Sequence, residues 1–175
     1  MTLSRDKMDD YFREIDNGNS LLINLQEWTD INPDELNKFV QPFLVGLYRL
    51  RRKHPKFTLL VIEESHQFMP QTKYEGDMQK VRIGIGIATG GRKYGLNSLY
   101  CAQRQALVDK SVLASCNVRI LLRTSEVLDW EAVRRYIPKE MGITYDGPGT
   151  GIRHFESGEA IVLSRWHGDR REKLN

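Results

Sequence analysis

Phe57-Thr58-Leu59-Leu60-Val61-Ile62-Glu63-Glu64-Ser65-His66 is the stretch that decides the fold. From Phe57 to Ile62 every residue is apolar or β-branched, which predicts a strand buried on both faces, as in a parallel sheet. The run breaks abruptly into two carboxylates. Ligand sites in open α/β sheets lie at the carboxyl ends of strands. One carboxylate there can hold Mg²⁺, directly or through water, because that ion prefers hard oxygen ligands. The next can polarise a water for attack on a phosphoryl group. The bland alternative is that Glu63 and Glu64 merely solubilise a strand end.

Working outward, Leu21-Leu22-Ile23-Asn24-Leu25 follows the turn-like Asn17-Gly18-Asn19-Ser20 and is expected to be a buried strand. Asn32-Pro33-Asp34-Glu35 has the chemistry of a helix start: a capping Asn, Pro at the first helical position, then acids in the first turn. Apolar residues recur at helical spacing from Leu36 to Leu50. The helix ends in Arg49, Arg51, Arg52, Lys53 and His54 before Pro55, read as a solvated end that complements the helix dipole.

Downstream of the acid pair a loop containing Pro70 and Gly76 is expected. Asp77 to Ala88 fits either a helix (Met78, Val81, Ile85, Ala88) or an alternating strand (Val81, Ile83, Ile85, Ile87), and Gly90-Gly91 ends it. Leu96 to Ala102 reads as a strand stopping at Gln103-Arg104-Gln105. Val118 to Arg123 reads as another. Ser125 is expected to cap a helix from Glu126 to Tyr136. Glu159 to Ser164 is a last strand, and residues from about 165, with Arg170, Arg171 and Lys173, form a charged tail. Strands alternating with helices predict an α/β fold with a mostly parallel sheet flanked by helices.

The 175 residues suggest a single domain, 1–175. Hydrophobic residues are 40% and charged residues 28%, so long disorder is excluded. The formal charge of +3 is too mild to imply nucleic-acid binding by itself. Two cysteines, Cys101 and Cys116, rule out a disulfide scaffold and favour a reducing compartment. No apolar run reaches the ~20 residues that span a bilayer, and the first residues lack the apolar core of a signal peptide. A cytoplasmic protein without a membrane partner is expected.

Two further groups gain meaning from position. If the strands ending at Glu64 and Gln103 are adjacent and parallel, Gln103 emerges beside Glu64, where an amide can sense a γ-phosphate or orient water. Arg92, in Gly91-Arg92-Lys93-Tyr94-Gly95, is a fixed cation whose planar fork suits phosphate charge. Alone, Arg92 and Lys93 are a basic loop and Gln103 a strand cap. The ordered set on consecutive βα units is far more specific.

Leu59 to His66, Gly91 to Gly95, Gln103-Arg104 and Val118 to Arg123 together resemble the HerA branch of the HerA–FtsK ATPases, over about Ser20 to Val162. The resemblance implies a partial RecA-like P-loop NTPase core, ATP and Mg²⁺ as cofactors, a homo-oligomeric (hexameric) ring, and double-stranded DNA as the polymer moved or unwound. It further implies Glu63 as the Walker B metal-side acid, Glu64 as the catalytic acid, Gln103 as the sensor and Arg92 as the arginine finger, with Arg104 and Arg123 as lesser candidates. Glu63, Glu64 and Gln103 would face the nucleotide. Gly149-Thr150-Gly151 through Gly158-Glu159-Ala160 resembles the family's closing segment. The family needs a Walker A loop, G-x-x-x-x-G-K-[ST], whose amides and lysine hold the phosphates. These 175 residues contain none: before Glu63 stand only Gly18 and Gly46. The expectation is a downstream half-domain, inactive alone, whose partner carries Walker A or is a nuclease. The alternative is a non-catalytic ring or scaffold subunit.

Other signals are weaker. Gly84-x-Gly86-x-x-x-Gly90 lacks the strand-loop-helix context of a dinucleotide loop. His54, His66, His154 and His167 with the two cysteines give no zinc spacing. His66 can tune the acid pair or simply pack. Ser65 lacks a G-x-S-x-G elbow. Cys101 reads as core, and Trp28, Trp130 and Trp166 as packing residues.

Overall fold

The computed structural model describes residues 7–25, 33–71, 75–164 and 170–173. The chain falls into two compact units, Met1–Cys101 and Ala102–Asn175.

In the first unit, helix α1 (Met8–Asp16) packs on the long helix α2 (Pro33–Lys53). Their contact is aromatic: Phe12 stacks on Phe43 at 5.5 Å and Tyr11 meets Phe39 edge-on at 6.4 Å. Strand β1 (Thr58–Ile62) pairs in parallel with β2 (Leu96–Tyr100), in the register Ile62 opposite Tyr100. Between them runs helix α3 (Glu75–Gly90), which packs on α2 and β2. The segment compatible with helix or strand is therefore a helix, and Gly76 lies within it rather than in a loop. Gly84 lets that helix approach the fully buried Met69: a Cβ there would fall 2.6 Å from the Met69 sulfur. Gly84 and Gly86 sit inside a helix, so they form no dinucleotide loop.

Two expectations fail here, and one falls outside the described residues. Leu21 to Leu25 forms no strand; no described strand pairs with it, and Leu22 lies open to solvent. The capping Asn32 lies outside the described residues. β1 is not covered on both faces: Phe57, Leu59 and Val61 are 77%, 55% and 49% exposed, and Leu99 of β2 joins the same open face. The apolar run specified a parallel strand; Thr58, Leu60 and Ile62 on its other face are half-buried or buried.

The basic end of α2 also differs from a simple solvated terminus. Arg51 is 0% exposed. It donates to Asp16 Oδ1 at 2.9 Å and to the His54 carbonyl at 3.1 Å, so it ties the end of α1 to the end of α2.

In the second unit, β3 (Val118–Leu121), β4 (Glu159–Ser164) and β5 (Arg170–Lys173) form an antiparallel ladder in that order. Arg170, Arg171 and Lys173 are thus strand residues. Helix α4 (Lys110–Ser115) precedes β3 and is capped by Asp109, whose carboxylate accepts from the Ser111 amide. Helix α5 (Val127–Val133) follows β3, with Glu126 at its cap position and no side-chain capping bond; Ser125 is not the cap. Leu121, Val133, Ile137, Ile152, Phe155, Ile161 and Leu163 make the core. The fold is α/β, with the expected parallel pairing at the strand that carries the acids.

Candidate nucleotide site

β1 and β2 end together, and the ladder then continues past them irregularly. The Cys101 amide donates to the Ile62 carbonyl and the Cys101 carbonyl accepts from the Ser65 amide, both at 2.9 Å. In a regular parallel ladder, a residue bonds to partner positions two apart. Here the positions are 62 and 65, three apart. One extra residue has been admitted, as in a β-bulge. Glu63 and Glu64 fill the excursion, and Glu64 takes φ +45° and ψ +47°. It is the one non-glycine with positive φ among the described residues. A left-handed conformation costs a side-chain-bearing residue about 1–2 kcal/mol, and such outliers cluster at functional sites.

Glu63 is exposed and Glu64 partly buried. Glu64 Oε2 lies out of solvent without a hydrogen bond, although His66 Nδ1 stands 3.2 Å away. The distance suits an ion pair, but the alignment is not that of a hydrogen bond. His66 thus adjoins the acid rather than packing elsewhere. Burial first, then the negative charges of Glu63 and Glu64, push the Cys101 thiol above its ordinary range.

The acids fit Mg²⁺ by donor type: hard carboxylate oxygens, one of them unsatisfied. Among the described residues no group of three or more His, Cys, Asp or Glu is placed to hold a metal ion. Phosphate oxygens and water would complete the shell. Four amides of the turn after the acids, those of Ser65, Gln67, Phe68 and Met69, are spent on backbone carbonyls rather than offered to a phosphate.

Arg92 sits in the one-turn helix Gly91–Tyr94 that leads into β2. Since β1 and β2 run in parallel, Arg92 lies at the end of the sheet opposite to Glu64, roughly five residues or ~16 Å along a strand. The turn is fixed at both glycines. A Cβ on Gly91 would fall 2.5 Å from the Leu96 carbonyl oxygen. At Gly95, where φ is +78°, a Cβ would fall 2.6 Å from the Lys56 carbonyl oxygen. Arg92 and Lys93 project from this braced turn and are exposed.

Gln103 and Arg104 open the second unit. Gln103 is exposed. Arg104 is engaged: its Nε donates to Asp129 Oδ2 at 2.9 Å. Arg123 follows β3 and is exposed. Sequence reasoning missed Asp129. Its signal was an acid four residues before Val133, one turn from a buried apolar position on the same helix.

Among the solved structures that this chain resembles is a viral NTPase. The chain superposes on the genome packaging NTPase B204 of Sulfolobus turreted icosahedral virus 2 in complex with ATP-gammaS, with a TM-score of 0.58, 15% identity, and 79% of this chain and 62% of that one covered. The sulfate complex of the same NTPase gives a TM-score of 0.60 at 14% identity, covering 79% and 62%. The fold is thus that of part of a P-loop NTPase core.

The particular likeness in sequence is to HerA. The chain is 25% identical over 149 residues to the DNA double-strand break repair helicase HerA of Sulfolobus acidocaldarius, covering 81% of this chain and 29% of that protein. It is 30% identical over 111 residues to the probable DNA double-strand break repair helicase HerA of Methanocaldococcus jannaschii, covering 62% and 20%. The chain therefore spans less than a third of the length of the curated relatives it matches, and it resembles the HerA branch of the HerA–FtsK ATPases as its motifs implied. No family model matches it. Among the described residues no helix is long and apolar enough to cross a membrane.

Proposed function

We propose that these residues are the Walker B, sensor and arginine-finger part of a HerA-like ATPase that works as a hexameric ring on double-stranded DNA, and that they do not hydrolyse ATP without a Walker A loop supplied from elsewhere. The observation that carries this reading is the strained, bulged acid pair at the carboxyl end of a parallel strand. Strain of that kind persists only where the surroundings impose it, and here two backbone bonds to Cys101 do so.

Mg-ATP, when bound, would supply the divalent charge and the phosphoryl centre. Glu63, exposed at the rim, would hold the metal. Glu64, with an unsatisfied oxygen, would accept a proton from the attacking water. Gln103 would report the state of the γ-phosphate. Arg92, at the far end of β2, is poorly placed for the acids of its own chain and better suited to a neighbouring subunit's nucleotide, where an arginine finger is worth large rate factors. DNA would be held through phosphate contacts, giving salt-sensitive, sequence-independent binding.

The test is Mg-ATP turnover by the chain alone and after co-expression with a polypeptide carrying a Walker A loop. Expected are no turnover alone, turnover in the complex, and its loss in Glu64→Gln. Robust turnover by the chain alone, abolished by Glu64→Gln, would refute the dependence on a partner. Stable assembly without turnover would mark a scaffold subunit instead.

A further inference from the structure

Asp129 is an acid whose side chain is only 3% exposed. A buried carboxylate is costly unless it is paired and hydrogen-bonded. This one is satisfied twice, and both donors come from one short segment. Oδ2 accepts from Arg104 Nε at 2.9 Å, and Oδ1 accepts from the Ala106 amide at 2.7 Å. The segment is cinched further by Leu107 N–H to the Arg104 carbonyl and Val108 N–H to the Gln105 carbonyl, each 3.1 Å. Gln105 Nε2 reaches back to the Ala102 carbonyl at 3.4 Å. Gln103, the exposed residue of this segment, is thus carried on a backbone fastened on both sides.

We propose that Asp129 is a positioning residue for Gln103, acting through Arg104 and Ala106 to hold the sensor segment against helix α5. The proposal rests on Gln103 having the sensor role given above. It assigns Arg104 to the scaffold of its own chain, with its guanidinium committed to Asp129 rather than to a phosphate.

Two measurements separate the clamp from the sensor role. The first is amide hydrogen exchange of the full chain. Asp129→Asn should raise exchange at the bonded amides of Ala106, Leu107 and Val108 by roughly tenfold or more, the worth of a charge-assisted bond, while β4 amides stay unchanged. Should Asp129→Asn unfold the second unit, Arg104→Gln releases one arm of the clamp without altering the helix and is read the same way. Unchanged exchange at residues 106–108 overturns the proposal. The second is turnover in the Walker A-complemented assembly. Asp129→Asn should lower kcat with KM unchanged, and adding it to Gln103→Ala should cause no further loss. Additive losses, or wild-type kcat in Asp129→Asn, overturn the proposal. If the wild-type assembly hydrolyses nothing, the sensor reading fails, and the exchange result alone decides whether Asp129 fixes the segment.

Discussion

The Cys101 carbonyl accepts from the Ser65 amide and the Cys101 amide donates to the Ile62 carbonyl, both at 2.9 Å. One residue of β2's continuation therefore brackets both acids that follow β1. The strand supplies direction, the bulge supplies exposure, and Glu64 takes up the conformational cost. These backbone bonds need nothing from the side chains of Glu63, Glu64 or Cys101, so neither carboxylate is spent on holding the corner.

The strain at Glu64 can be measured. Glycine adopts φ +45° without steric cost, although it raises the entropy of the unfolded chain. Glu64→Gly is expected to stabilise the chain by about 0.5–1 kcal/mol, the ~1–2 kcal/mol of left-handed strain less the ~0.4–1 kcal/mol of added chain entropy. Glu64→Gln, which keeps the side chain, should give no such gain. Urea denaturation of both variants decides; a destabilised glycine variant would show that no strain is stored there.

The buried guanidinium of Arg51 makes an asymmetric prediction. Its Nε and Nη2 are buried without hydrogen-bond partners, while Nη1 serves Asp16 and His54. Asp16→Ala leaves that charge uncompensated and should cost roughly 2–4 kcal/mol, somewhat below the value for a fully buried pair because Asp16 is partly exposed. Arg51→Met removes the charge and its orphaned donors together and should cost less than about 1 kcal/mol. Denaturation midpoints that ranked the two in the opposite order would contradict the pairing described here.

Cys101 reports on the acids electrostatically. Burial first, and Glu63 and Glu64 second, hold its thiol protonated above the ordinary range. At mildly alkaline pH, iodoacetamide should alkylate Cys101 more slowly in the folded chain than in the unfolded one, since the thiolate is the nucleophile. Glu63→Gln with Glu64→Gln should speed the reaction without reaching the unfolded rate, because burial remains. The sign for stability follows: the folded pKa is raised, so the contribution is complete below the unfolded thiol pKa and lost as pH rises through the folded value. Peptide mapping distinguishes this site from Cys116, whose thiol is likewise raised by burial but partly offset by the Arg119 charge.

Much of this was legible from local sequence. Phe57 to Ile62 announced a parallel strand and Leu96 to Tyr100 its neighbour, because β-branched apolar runs bounded by Gly or acids have few other uses. The acid pair and Gly91-Arg92-Lys93-Tyr94-Gly95 stood out by type and order. What stayed hidden depends on tertiary partners. Leu21 to Leu25 has strand composition, but no described strand pairs with it. Arg51 belongs to a charge run that composition assigns to solvent, yet Asp16, thirty-five positions earlier, draws it inside. Asp129 went unread because its partners, Arg104 and the Ala106 amide, lie more than twenty positions earlier. The bulge at Glu64 depends on register, which no single strand encodes.

The brace at Cys101 works through peptide atoms alone. Residue identities at 63 and 64 can therefore change without shifting the corner that presents them. A catalytically silent homologue and an active one could share the same frame, so the persistence of this corner in a relative would be no guide to whether that relative still turns over nucleotide. Its two carboxylates would have to be checked one by one.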